Sequence, residues 1–357
     1  VGDSSPGAGD EESGGRIGLA GRLRRAWAEP GRAVSTLLLD LVVLKPLAIY
    51  VWWFSQRANT LHFEGRAALQ RLTRRALAEG RPVVIASNHV SWFDDPVVPM
   101  ALYRTGQRAG LELLALVACV AACWLLPSRW LPRPAGVAIG AAFALGIAAF
   151  GARKTWWTLG ALENLSDASV LRGKFALTRR TPPGPFLRAL LRVADGLIPW
   201  FMRSGTVRTI FVDRRPGEQA RRVRARAVSS AVAMAERAEP VWVFFEGGRT
   251  KLPGVIAPAR RGIGALVLRL RERGRNPLVI VVYHEGMERL IPPGGSRFLD
   301  HGHDVRVCWA ELDVDGLPAA ARCDERALAD EVREVAVELQ ARLRLEEPQR
   351  GREAPSA

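Results

Sequence analysis

The chain has 357 residues, 48% of them apolar, with 51 Lys and Arg against 36 Asp and Glu and a net charge of +15. It is long for one domain and short for three, and so much apolar content excludes a disordered body. The basic surplus suits polyanions: nucleic acid, anionic lipid surfaces or phosphorylated substrates.

Residues 1–33, Gly-, Ser- and acid-rich and then Arg-rich, show no apolar periodicity and read as a disordered tail. Residues 34–60 read as a membrane-associating helix. Their apolar stretch from Ser35 to about Ser55 is near bilayer length, but Asp40, Lys45 and the Trp52–Trp53 pair favour lying in the interface. A long core helix is the alternative. His62 to Ala78 looks like an amphipathic basic helix, and Val83-Val84-Ile85-Ala86 like a short buried strand between Gly80-Arg81-Pro82 and Ser87-Asn88. Asp95 and Pro96 suit an N-cap and a first helical position. Two nearly uninterrupted apolar runs follow, Leu111 to Pro127 and Gly136 to Phe150, each short for a full span. They predict a helical hairpin dipping into one leaflet, with a spanning pair as the alternative, within an insertion at about 103–152. Such runs turn the choice among polyanions toward lipid headgroups.

Beyond Thr155 the pattern is globular. Helices are expected at Phe186–Met202, Glu218–Ala238 and Gly262–Arg273, and strands at Thr209–Val212, Val241–Phe245, Leu278–Tyr283 and Val305–Leu312. Asp324 would cap a last helix to about Leu345, and residues 347–357 read as a second tail. Strands alternating with helices predict an α/β fold: a mostly parallel central sheet flanked by helices, formed by residues 61–346. Cys119, Cys123, Cys308 and Cys323 show no metal or disulfide spacing. His301, His303 and Asp304 fit a polar turn better than a metal site.

Several predicted strands end in polar motifs: His89 with Asp94, Asp213 with Arg214, Glu246 with Arg249, and His284 with Glu285. Ligands of open α/β sheets collect beyond the carboxyl ends of the strands, so these motifs are expected to converge on one pocket. A carboxylate on one imidazole nitrogen leaves the other free to take a proton from a hydroxyl, which makes His89 and Asp94 a candidate catalytic pair. A surface histidine beside an acidic helix cap is the bland alternative. Gly247 and Gly248 let backbone N–H groups approach an anion, and Arg249 adds a fork suited to phosphate. The alternatives are a tight turn with a solvated Arg249, ordinary surface cations at Arg214 and Arg215, and a histidine at 284 buried on backbone partners.

The stretch Asn88-His89-Val90-Ser91-Trp92-Phe93-Asp94-Asp95-Pro96 resembles the NHxSxxD signature of the glycerolipid acyltransferases. Phe244-Phe245-Glu246-Gly247-Gly248-Arg249 is similar to their FPEGTR motif, and Phe211-Val212-Asp213-Arg214 to their second motif. Asp94-Asp95-Pro96, Trp157-Thr158-Leu159-Gly160-Ala161, Arg261-Gly262-Ile263-Gly264 and Tyr283-His284-Glu285-Gly286-Met287 with Ile291-Pro292 look like the tafazzin-like branch. The likeness runs from about residue 45 to about residue 345, outside the insertion. Phe245 stands where the family usually has proline, Gly248 where it often has threonine or serine, and Val281 where its fourth motif usually has proline.

The resemblance implies that His89 is the general base on a lysophospholipid hydroxyl and that Asp94 holds its tautomer. It implies direct attack on the acyl carbonyl with no protein nucleophile, so Ser91 positions rather than reacts. Asn88, Ser91, Arg214, Glu246, Gly247, Gly248 and Arg249 would bind substrate. Arg249, supported by Arg214, would hold its phosphate, Glu246 would orient Arg249 or the acceptor, and N–H groups near Glu246 to Gly248 would meet the oxyanion. Neither metal nor organic cofactor is required. The partners implied are phospholipid and lysophospholipid on a membrane surface. The expected activity is tafazzin-like transacylation in lipid remodelling; an acyl-CoA or acyl-carrier-dependent lysophosphatidate acyltransferase is the alternative, and a non-catalytic basic membrane-binding protein a third reading. Nucleic acid is not expected, because no aromatic residues interleave with basic ones as a stacking platform would.

Overall fold

The computed structural model describes residues 57–91, 209–212, 216–248, 254–290 and 302–345, the backbone of 157–161 and 346–353, and a few single residues between, among them Asp94 and Thr250. The expected interfacial helix at 34–60, apart from a few residues near its end, the insertion at 103–152, apart from Leu114, and the helix at Phe186–Met202 lie outside the described residues. So do Trp92, Asp95, Pro96, Arg214 and Arg249. Among the described residues no helix is long and apolar enough to cross a membrane.

Among the described residues seven strands form one sheet: β1 (Thr60–Phe63), β2 (Val83–Ser87), β3 (Trp157–Ala161), β4 (Thr209–Val212), β5 (Val241–Phe244), β6 (Leu278–Glu285) and β7 (Asp304–Leu312), in the order β1-β7-β6-β2-β5-β3-β4. All pairs are parallel except β6 with β7. The α/β class with a mostly parallel sheet is therefore observed as expected. β2 lies centrally, between β5 and β6, and all five of its residues are buried. A strand covered on both faces reads as an unbroken apolar run, which is why Val83–Ala86 stood out in the sequence.

Helices α1 (Arg66–Ala78), α2 (Glu218–Glu236), α3 (Gly262–Glu272), α4 (Met287–Leu290), α5 (Ala319–Cys323) and α6 (Glu325–Glu353) complete the described elements. Alternation along the strands divides the core in two. Val84, Ala86, Val243, Phe245, Val279, Val281 and Tyr283 pack with α2, α3 and α6. Val83, Ile85, Trp242, Leu278, Ile280 and Val282 pack on the other side with Leu69 and Ala76 of α1, Val98, Leu102 and α4.

Several boundaries differ from the sequence reading. His62 lies in β1, paired with Arg306 of β7, and the helix starts only at Arg66, after Gly65 has turned the chain in a left-handed conformation at φ 59°. β6 runs on through His284 to Glu285, because β7 pairs with it antiparallel to its end. β3 appears at Trp157–Ala161, where no strand was expected. α2 stops at Glu236, two residues before Ala238 takes φ 55°. Asp324 caps α6 as expected, its Oδ1 accepting the N–H groups of Arg326 (2.9 Å) and Ala327 (2.7 Å), but the helix continues to Glu353.

Candidate active site

The chain leaves β2 at Ser87, whose hydroxyl accepts a hydrogen bond from the buried Trp242 indole at 2.8 Å. Asn88 then ties the loop to β6. Its Oδ1 accepts the His284 N–H at 3.0 Å, and its Nδ2 donates to the His284 carbonyl at 2.8 Å. One side chain thus satisfies both backbone groups of a strand residue, prolonging the β2–β6 pairing beyond its last strand position. His89 follows at the centre of the sheet's carboxyl edge.

β5 anchors the loop from the other side. Glu246 is buried, and its Oε2 accepts the His89 N–H at 2.8 Å. Its Oε1 accepts the Thr250 hydroxyl and the Ala257 N–H, both at 2.7 Å. The Thr250 N–H returns to the His89 carbonyl at 2.8 Å. Glu246 therefore holds the histidine loop and the loop after β5 together. With both oxygens bonded to protein, it acts here as a cross-link, where the sequence assigned it to an arginine or the acceptor.

Asp94 closes the constellation. Its Oδ2 accepts the N–H groups of Val90 (2.6 Å) and Ser91 (2.8 Å) and lies 3.0 Å from His89 Nδ1. The Asp94 side chain is fully buried, whereas that of His89 is 20% exposed. A buried carboxylate needs donors, and here one oxygen gathers three. Bound to a carboxylate, Nδ1 carries the proton and Nε2 keeps its lone pair. Nε2 has no hydrogen-bond partner among the described residues. The ring stacks on Phe244, with centroids 4.2 Å apart and planes at 21°, which fixes its tilt. A positioned imidazole with an open, unprotonated nitrogen can accept a proton from a bound hydroxyl.

Of the residues proposed from sequence, His89, Asp94, Asn88, Ser91, Glu246 and Gly247 surround this loop. Arg249, Arg214 and its neighbour Asp213 lie outside the described residues; β4, after which the last two come in the chain, is at the sheet's edge, two strands from β5. Ser91 is buried and gives its N–H to Asp94. Gly247 sits at φ 66°, where a Cβ would meet Arg260 Cγ at 2.7 Å, so any side chain here would strain the turn. Its N–H donates to the Phe244 carbonyl at 3.0 Å, which removes it from the expected oxyanion donors. Phe245 and Val281, two of the departures from the acyltransferase motifs, are buried on the opposite face and face the helices rather than the site. Among the described residues no group of three or more His, Cys, Asp or Glu side chains is placed to hold a metal ion.

His284 is the buried histidine on a backbone partner that the alternative reading expected; what the sequence did not show is its nearness to Asp94. Its ring is fully buried, with Nε2 3.1 Å from the Asn88 carbonyl oxygen and 3.9 Å from Asp94 Oδ2. The signal was its place on a run of otherwise apolar residues, Leu278 to Tyr283, where a histidine is out of character.

Residues 173–284 match the model of a family described as Acyltransferase. The matched span covers β4, β5 and most of β6, includes Arg214, Glu246, Gly247, Gly248 and Arg249, and ends at His284; it begins after the His89–Asp94 loop. No curated protein matches the chain. Among solved structures it is similar to the crystal structure of the 1-acyl-sn-glycerophosphate (LPA) acyltransferase, PlsC, from Thermotoga maritima. Identity is 16% and the TM-score 0.41, over 90% of this chain and 86% of that one.

Proposed function

We propose that this chain, an acyltransferase by its matched segment, transfers a fatty acyl group to the free hydroxyl of a lysophospholipid at a membrane surface. The observation that carries the reading is the 3.0 Å contact between His89 Nδ1 and the buried Asp94 carboxylate, with Nε2 left open. His89 Nε2 takes the proton of the acceptor hydroxyl as its oxygen attacks the acyl carbonyl. The tetrahedral oxyanion collapses, the donor's leaving group departs, and the imidazolium returns the proton to it. Asp94 stabilises the imidazolium in between. No side chain is acylated, so buried Ser91 has no nucleophilic part.

The acceptor phosphate is assigned to Arg249, with Arg214 in support, because a guanidinium fork matches phosphate geometry. The net charge of +15 favours an anionic lipid surface. For the donor, acyl-CoA or an acyl carrier leads over transacylation. The described tracts that resemble the tafazzin-like branch form β3, the start of α3 and the end of β6. They are parts of the framework, and their likeness says little about which donor is used.

The test is incubation in mixed micelles with lysophosphatidate, offering labelled acyl-CoA and labelled diacyl phospholipid separately, with His89→Ala as blank. Label is expected to move from acyl-CoA. Movement from phospholipid alone would reinstate the tafazzin-like reading, and no movement from either would sink the acyltransferase assignment. Arg249→Ala should raise the acceptor KM about tenfold, equivalent to about 1.4 kcal/mol of binding; an unchanged KM would remove the phosphate role.

A further inference from the structure

We propose that His284 is a positioning residue for the His89–Asp94 pair: a second imidazole, sealed in the core, that shares the catalytic carboxylate and fixes the peptide from which His89 projects. This rests on His89 acting as the base. By alternation along β6, position 284 follows Leu278, Ile280 and Val282 on the face turned to α1, where an apolar side chain would be the inexpensive choice. The ring that stands there is fully buried and cannot touch solvent or substrate.

Its contacts assign the tautomer. The Asn88 carbonyl oxygen, 3.1 Å from Nε2, only accepts, so Nε2 carries the hydrogen. The same N–H edge lies 3.9 Å from Asp94 Oδ2, which already receives Val90, Ser91 and His89. At that distance His284 adds positive field to the carboxylate without competing for the lone pair that holds His89. Two buried acceptors, His284 Nδ1 and Asp94 Oδ1, have no hydrogen-bond partner among the described residues. A histidine at a position that an apolar side chain could fill, bonded through Nε2 to the peptide that carries His89 and standing 3.9 Å from Asp94 Oδ2, points to positioning rather than packing. Three hydrogen bonds in all link residues 88 and 284: two from the Asn88 side chain to the strand backbone and one from the ring to the Asn88 backbone. The ring bond is the one that a substitution at 284 can remove.

The experiment uses the full chain. Nitrogen-15 spectra of histidine-labelled protein should show His284 protonated at Nε2 and bare at Nδ1; the opposite tautomer would overturn the proposal. His284→Leu fills the space without a donor, while His284→Gln can return an N–H near the Nε2 position. Leu is expected to lower kcat roughly 10–100-fold with acceptor KM within about twofold, and Gln to recover most of the loss. Wild-type kcat in the Leu variant, or equal kcat in Leu and Gln, refutes the role. Should Leu fail to fold, His284→Asn against His284→Gln gives the same contrast, since the shorter amide does not reach the Asn88 carbonyl, and equal rates refute it. His89→Ala run alongside separates the two ideas. Turnover in that variant removes the base assignment, whereas the tautomer measurement stands without it.

Discussion

Tyr283 and His284 are neighbours on one strand, and they show how differently the two faces of the sheet treat a buried polar group. On the helix-covered face, the Tyr283 hydroxyl meets Gln340 Nε2 at 2.7 Å, and that amide also reaches the Gly254 carbonyl at 3.0 Å. The polar group there is absorbed into packing at the edge of the larger hydrophobic cluster. On the other face, His284 and Asp94 are buried beside the His89 loop, with His284 Nε2 3.9 Å from the Asp94 carboxylate. Burying polar groups is costly, so a fold gathers them where chemistry gains from them. The single strand β6 thus serves rigidity on one side and reactivity on the other.

The largest effects should break that division cleanly. His89→Ala should lower turnover by about 10²–10⁴-fold, the usual contribution of a positioned base, in a chain that still folds because Val90 and Ser91 keep donating to the Asp94 carboxylate. Asp94→Asn should cost a comparable factor, since an amide cannot supply the charge that stabilises the imidazolium. A variant of either kind with wild-type kcat would dissolve the reactive face. Gly264→Ala tests the other side. A Cβ there would stand 2.0 Å from the Glu325 carbonyl oxygen, backbone against backbone, so α3 and α6 must separate. We expect a loss of about 1–3 kcal/mol in denaturant unfolding, with kcat per folded molecule preserved. An unchanged midpoint would mean that the helix layer is softer than its packing implies.

How much of this was legible depends on the range of the signal. The fully buried β2 announces itself as an apolar run, and the His89-x4-Asp94 spacing places base and carboxylate on one tight loop, both local facts. Asp324 capping α6 was equally local. The role of Glu246 was not. Its bonds join residue 246 to His89, 157 positions away, and to Ala257 across a turn, and no periodicity encodes such a cross-link. The sharing of Asp94 by His284 likewise depends on β6 lying beside β2, a pairing that spans nearly 200 residues. β1 was hidden because its four residues alternate between exposed and half-buried at the start of a basic helical stretch, and only pairing with β7 makes them a strand. The convergence of polar motifs was anticipated from strand ends. Sheet order then refines it: the ends of β2, β5 and β6 meet, while that of β4 lies at the edge.

A smaller effect separates the faces by bond energy. Tyr283→Phe removes a hydroxyl whose partner keeps the Gly254 carbonyl, so the cost should be about 1 kcal/mol in unfolding and nothing in kcat. A fall in kcat would show that the helix-covered face reaches the chemistry after all.

The smallest expected effect concerns protons on that same face. Burial pushes the Cys308 thiol from 9.0 up to about 12, and burial likewise raises Tyr283, with the nearby Glu285 carboxylate adding to both. The folded chain therefore holds these protons after the unfolded chain has begun to release them. Stability should fall as pH climbs from about 9, because there the unfolded state binds fewer protons than the native one. Below that range the two states hold the protons alike and the contribution vanishes. The thiolate is also the reactive form, so alkylation at pH 8 should modify exposed Cys323 and spare Cys308 until the protein unfolds. Equal labelling of the two in native protein would mean that the face opens to solvent readily. Its rigidity could then no longer be what holds β6, and with it His284, against the catalytic carboxylate.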